Sequence, residues 1–164
     1  MYSRFRDAGQ SCNAAKRLIV TPKIADAVVK KVVALSEQLV MGDPMRPETT
    51  LAPLHTQVLQ QKAHAQVQDA LAHGASALCG GVLPEGSGYF YPATVLDHVN
   101  PACRVYGEEV FAPILSVLRA ADEADAIRLA NDTCFRLGAA VYSQNIEHAL
   151  ALAPNLQAGS VFIN

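Results

Sequence analysis

Hydrophobic positions along the chain switch between two spacings, and the switches mark the elements. The run "KRLIVT" (16–21) is short and rich in β-branched residues, which suits a buried strand. Thr21-Pro22 then offers an N-cap followed by proline at the first helical position. Within Lys23 to Val40, Ile24, Ala27, Val28, Val32, Leu35 and Leu39 recur at intervals of three and four, which predicts a helix with one apolar stripe. "MGDPMRP" (41–47) ends it, because Gly42 and two prolines force a loop. A second helix is predicted over 54–73, with Leu54, Val58, Val67 and Leu71 on one face and Gln and His on the other; Gly74 is its natural C′ residue. A short run at 77–79, a Gly80-Gly81 turn and the loop "LPEGSG" lead into "YFYPATVL" (89–96). Pro92 cannot donate to a ladder, so that segment is expected at a sheet edge.

The final third repeats a strand and helix rhythm: "PILSVLRA" (113–120) as strand, 122–131 as helix, "GAAVYS" (138–143) as strand, 145–155 as helix and "GSVFIN" (159–164) as strand. Asp122 and Asn145 are competent N-caps, with acidic residues in the turns that follow. This alternation predicts an α/β fold, a mostly parallel sheet covered by helices. No repeat, low-complexity tract or linker interrupts the chain, so residues 1–164 read as a single domain.

Composition narrows the partners. Hydrophobic residues make up 51% of the 164 residues and charged ones 17%, enough apolar material for a core. The formal charge of −2 and an isoelectric point near 6.2 provide no basic field for nucleic acid. The first residues carry cations without a following apolar stretch, and the most apolar run, "IADAVVKKVVAL", is broken by a lysine pair well short of a membrane span. A cytoplasmic protein with small-molecule partners is expected. Cysteines at 12, 79, 103 and 134 form no C-x-x-C pair, which argues for reduced thiols, and the five histidines show no metal-ligand spacing.

One thiol stands in a distinctive setting. "DAGQSCNAAKR" (7–17) surrounds Cys12 with a glycine, small residues and two cations. If Asn13-Ala14-Ala15 begins a helix, Cys12 lies at its N-terminus, with Lys16 and Arg17 close by; both features raise the thiolate fraction, and backbone N–H groups there could stabilise an oxyanion. A buried packing cysteine fits the same local sequence.

The segment "FRDAGQSCNAAKRLIV" (5–20) resembles the one that bears the catalytic cysteine in the NAD(P)-dependent aldehyde dehydrogenase superfamily, where G-Q-x-C precedes a helix and an R-x-x-V strand. "GEEVFAPILSV" (107–117) is similar to the family's E-E-(I/V)-F-G-P segment, and the stretch 129–164 is similar to the text that follows it there. "MGDP" and "LAPL" (51–54) also fall where the family has similar text, and the closest flavour is the succinate-semialdehyde dehydrogenase branch. The resemblance implies a catalytic-domain fold in which Cys12 is the nucleophile. Its thiolate attacks an aldehyde to give a thiohemiacetal, hydride passes to nicotinamide, and water cleaves the resulting thioester. It also implies that the Cys12 N–H is an oxyanion donor, that Glu109 holds the nicotinamide ribose and that Phe111 abuts the nicotinamide; the bland alternatives are a surface carboxylate and a core aromatic.

Family members are much longer. The nucleotide-binding domain, the oxyanion asparagine, the glutamate that activates water, a glycine-rich loop and the oligomerisation strands are all expected to lie outside this chain. By itself it is therefore expected to bind NAD or NADP weakly, to fail to oxidise aldehydes, and to self-associate, as a homodimer. Ala52, Ala112 and Arg136 stand where the family commonly has glycine; if those positions need positive φ, each costs roughly 1 kcal/mol. Two other readings compete: a stand-alone thiol esterase using Cys12 and a base, although no histidine is near it in sequence, and a non-catalytic domain that binds another subunit through exposed apolar surface.

Overall fold

The computed structural model describes residues 2–164. A short helix α1 (Tyr2–Phe5) passes into a 3-10 turn at Arg6–Gly9, then through the Cys12 turn into strand β1 (Arg17–Val20). Helices α2 (Ala25–Ser36) and α3 (Gln57–Ala72) follow, then strands β2 (Ser76–Cys79) and β3 (Thr94–Asp97), the single turn α4 (Arg104–Gly107) and strand β4 (Ile114–Arg119). Helix α5 (Glu123–Asn131), strand β5 (Gly138–Val141), helix α6 (Ile146–Leu152) and strand β6 (Ser160–Ile163) complete the order.

One sheet has the order β1-β4-β3-β2, with β1/β4 and β3/β4 parallel and β2/β3 antiparallel. A separate pair, β5-β6, is parallel. The mostly parallel α/β class is therefore as the alternation implied. Helix α2 covers one face of the larger sheet: Ala25 and Val29 pack with Val20, Val95 and Val117. On the opposite face Ala63, Val67 and Ala70 of α3 join Leu96, Ile114 and Leu118.

Several expectations need correction. Helix α2 is shorter than 23–40, and its buried positions are Ala25, Val29 and Ser36, whereas Ile24 is 50% exposed and Leu35 36%. Apolar residues occupy so many positions of this helix that more than one stripe satisfies the 3.6 period, and the valines of the sheet choose among them. In α3 the buried residues are Ala63, Gln66, Val67 and Ala70, while Val58 is 76% exposed. Its start is set by Thr56, whose hydroxyl accepts from Leu59 N–H, so Leu54 lies before the helix. Gly74 follows the C-terminus with φ +90°, as a C′ residue requires. Strand β3 is interior, not an edge: Pro92 precedes its first paired residue and so removes nothing from the ladder.

The caps Asp122 and Asn145 form as expected, accepting from Asp125 N–H and His148 N–H. Positive φ at non-glycine residues occurs, among the described residues, at Asp7, Ala8, His98 and Asn164. Ala52, Ala112 and Arg136 are not among them, so the expected strain at those three positions does not arise. Among the described residues no helix is long and apolar enough to cross a membrane.

Candidate active site

Cys12 occupies a tight turn closed by Ala14 N–H donating to Ser11 O at 3.2 Å, and no helix begins after it. The predicted helix N-terminus is therefore a correction. Ala14 is buried and Ala15 is held by Ser3 Oγ at 3.1 Å, which directs the chain straight into β1. Cys12 is exposed, as is Cys134; Cys79 is half-buried and Cys103 buried, and all four thiols are free. Burial pushes the Cys79 thiol upward, away from reactivity.

The two cations after the turn have separate tasks. Arg17 leaves the cysteine and caps the C-terminus of α5, donating to Leu129 O, Ala130 O and Asp132 O at 2.9, 3.0 and 3.2 Å. Lys16 Nζ folds back, donating to Cys12 O at 3.1 Å and Ala14 O at 3.4 Å, and lies 3.5 Å from Glu109 Oε1. A single ammonium thus joins the cysteine turn to the glutamate that the resemblance selects.

Neighbouring glutamates divide in the same way. Glu108 is held by Arg104 Nε at 2.8 Å and by Gln66 Nε2 at 2.9 Å, and the Arg104 bond, then the Gln66 bond, keeps its carboxyl below the usual range. Gln66 also reaches Glu109 O at 3.3 Å, fixing the backbone of the segment. Glu109 keeps its side chain 39% exposed beside Lys16. Phe111 is half-buried on the same segment, and Ala112 beyond it is fully buried against the approach to Cys12.

That approach is tightly constrained. Asp7, Ala8 and Gly9 all have positive φ, of 51°, 50° and 76°. The first two are non-glycine residues in left-handed conformation, at a cost of roughly 1–2 kcal/mol each. Gly9 is obligatory, since a Cβ there would collide with Ala112 O and Arg4 Nη2. Gln10 ties the turn to the end of the "LAPL" segment: its Oε1 accepts from His55 N–H at 2.8 Å, and its Nε2 donates to Pro53 O at 3.5 Å and to Asp7 O at 3.0 Å. Arg4, 1% exposed, donates from Nη2 to Gly9 O at 2.5 Å and from Nη1 to Val110 O at 3.5 Å. A shallow polar cleft lined by Ser3, Arg6, Asp7, Ser11 and Asn13 adjoins the turn.

Sequence reasoning singled out Cys12, Glu109 and Phe111; the fold joins the first two through Lys16 and carries the third on the segment that passes Gly9. It missed Lys16 as a bridge, Gln10 as a tether and Arg4. The glutamine of G-Q-x-C was a legible signal for the tether. No group of three or more His, Cys, Asp or Glu side chains that could hold a metal ion occurs among the described residues.

Comparison with known proteins decides the family. The aldehyde dehydrogenase family profile matches residues 1–164. The chain belongs to the aldehyde dehydrogenase family. It is 42% identical, over 99% of its length, to a succinate-semialdehyde dehydrogenase (NADP+) of Mycolicibacterium paratuberculosis, and 40% identical over 98% to a succinate semialdehyde dehydrogenase (NAD(P)+) of Escherichia coli. It spans about a third of those relatives, 34% and 35% of their lengths. The crystal structure of a succinic semialdehyde dehydrogenase from Streptococcus pyogenes in complex with NADP+ superposes with a TM-score of 0.94 at 35% identity, covering 99% of this chain and 36% of that one. A betaine aldehyde dehydrogenase from Staphylococcus aureus in complex with NAD+ gives 0.93 at 30% identity, over 98% of this chain and 33% of that one. The family match includes the Cys12 turn and the Glu109 segment.

Proposed function

We propose that this chain is the nucleophile-bearing catalytic domain of an NAD(P)-dependent aldehyde dehydrogenase, which oxidises an aldehyde to a carboxylic acid. The reading rests on one observation above others: Lys16 Nζ lies 3.1 Å from Cys12 O and 3.5 Å from Glu109 Oε1, so elements far apart in sequence converge on a single cation. Cys12 Sγ attacks the aldehyde carbon, forming a C–S bond while the carbonyl oxygen becomes the oxyanion of a thiohemiacetal, with the Cys12 N–H as one donor to it. The residues present fit the nicotinamide end of the cofactor. Glu109 is accessible enough to accept from ribose hydroxyls while paired to Lys16, and Phe111 offers a flat apolar contact to the ring. NAD(P), when bound, supplies the two-electron acceptor for the step from thiohemiacetal to thioester. Cys12 then holds the acyl group until water cleaves the C–S bond.

The cleft beside Cys12 is lined by polar side chains and favours an aldehyde with a polar far end; its cation, Arg6, lies 3.8 Å from the Asp7 carboxylate in the same cleft. Succinate semialdehyde, the substrate named for the relatives, has that character. The four free thiols suit a reducing compartment such as the cytoplasm. These residues span about a third of the relatives' length, and the expected result for them alone with succinic semialdehyde, propionaldehyde or benzaldehyde and either cofactor is no rise in reduced-nicotinamide absorbance. Turnover abolished by Cys12→Ala would show that the chain is a complete catalyst. The nucleophile itself is tested by iodoacetamide mapping: Cys12 should label ahead of Cys134, the other exposed thiol, and equal labelling would refute its assignment. A homodimer is supported by exposed apolar side chains such as Tyr142 at 77% and Phe162 at 65%. Light scattering that finds only monomer at high concentration would count against it.

A further inference from the structure

Arg4 is a cation 1% exposed whose Nε has no hydrogen-bond partner. Burial pushes its guanidinium down to about 10, partly offset by the negative charge of Glu109. A buried charge held by two carbonyls and left one donor short is a poor way to stabilise a core, where an apolar residue of similar size does better. Its two contacts, however, fall on the two halves of the candidate site. Nη2 donates to Gly9 O, the last residue of the left-handed run before the Cys12 turn, and Nη1 donates to Val110 O, the residue after Glu109.

We infer that Arg4 is a positioning residue: it clamps the left-handed run Asp7–Gly9 against the Glu109–Val110 backbone and so sets the orientation of the Cys12 turn. The inference rests on the proposed role of Cys12 as nucleophile and adds the residue through which the fold aims it. Nothing else contacts both carbonyls among the hydrogen bonds described for them. Without the clamp, the run relaxes toward ordinary φ and the turn amides drift from the place where an oxyanion develops. The thiol remains exposed and free to react where no oxyanion forms.

Two reagents separate these effects at the same sulfur. With 4-nitrophenyl acetate, Cys12 Sγ attacks the ester carbon, the C–S bond forms, the C–O bond breaks and 4-nitrophenolate leaves; the step passes through an oxyanion. Iodoacetamide alkylates by displacement of iodide and needs none. Removing an oxyanion donor costs about 10²–10³ in rate; a displaced one is expected to cost about tenfold. In Arg4→Met, acylation of Cys12 should fall about tenfold while its alkylation stays within about twofold. Cys134 should be unchanged in both reactions, and Cys103 should stay protected, which reports an intact core. Adding Ala8→Gly, which adopts positive φ freely, should restore acylation several-fold, a rescue that loss of general stability would not give. If Arg4→Met exposes Cys103, Arg4→Lys takes its place, with acylation of Cys12 expected to fall about threefold because one ammonium cannot span both carbonyls. Wild-type protein acylated no faster at Cys12 than at Cys134 overturns the nucleophile reading and the inference together. Wild-type preference for Cys12 that persists unaltered in the folded Arg4 variant overturns the role of Arg4 alone.

Discussion

The two sheets are made from similar residues and stand in opposite environments. In the larger one, every residue of β3 is buried and β4 is buried from Ile114 to Leu118. In the smaller one, β5 and β6 alternate exposed and half-buried positions, with Phe162 65% exposed. The difference lies in cover. Helices α2 and α3 enclose the larger sheet on both faces. The smaller pair is fastened mainly by α6 and by polar ties to the end of α5, where Asn131 donates to Asn155 O at 2.9 Å and accepts from Gln157 N–H at 2.8 Å. An apolar strand contributes stability only where something excludes water from it. The candidate site belongs to the covered half, which is why its loops can be held in strained conformations.

The largest test of this contrast compares one residue type in two places. Ile114→Ala in β4, at 0% exposure, should cost roughly 2–5 kcal/mol, whereas Ile163→Ala in half-exposed β6 should cost less than about 1 kcal/mol. Urea unfolding of both variants measures the difference, and equal losses would mean that the two sheets share one core.

Next in size is the ion cluster at the end of the larger sheet. Arg119 pairs with buried Asp97 at 2.8 Å and with exposed Asp26 at 2.7 Å. Burial alone would raise the Asp97 carboxyl, but hydrogen bonds from Arg119 and His98 N–H, with the charges of both residues, hold it below its ordinary value. Its pKa is lower folded than unfolded, so the ionised form favours folding. That stability is complete above the ordinary value near 3.9 and is lost as pH falls below it through the folded value. Asp97→Asn should cost about 1–3 kcal/mol at pH 7 and flatten the acid limb of a stability profile below about pH 4. A variant with an unchanged acid limb would remove Asp97 from the account.

Capping gives a smaller effect with the same contrast. Asp122→Ala should lower global stability by about 1 kcal/mol, because α5 packs on the larger sheet through Leu129. Asn145→Ala should instead speed amide exchange within α6 and β6 and move the global transition little. The smallest expected change is Phe162→Ser, within about 0.5 kcal/mol in stability, read together with a drop in self-association by light scattering.

Much of the local structure was legible. Asp122 and Asn145 cap helices with their own side chains, and the apolar runs of β1 and β4 mark strands, because both signals act over a few residues; the Thr56 cap was missed, and with it the start of α3. The motifs around Cys12 and Glu109 were legible as a resemblance. Other features depended on what lay across the fold. The buried stripe of α2 was settled by Val95 and Val117, since its own sequence permits several. The interior place of β3 came from pairing on both sides, which Pro92 could not forbid from outside the ladder.

The site divides along the same line. By itself the sequence determined the family and the identity of the exposed thiol's neighbours, since those are matters of residue type and order. Only the tertiary structure decided that no helix follows Cys12, that Arg17 serves α5, that Lys16 turns back to Glu109, and that Arg4 is buried between Gly9 and Val110. The physical reason is that long flexible cations carry little local signal. Their partners are carbonyls and carboxylates from distant segments, and desolvation selects among them only after the chain has folded.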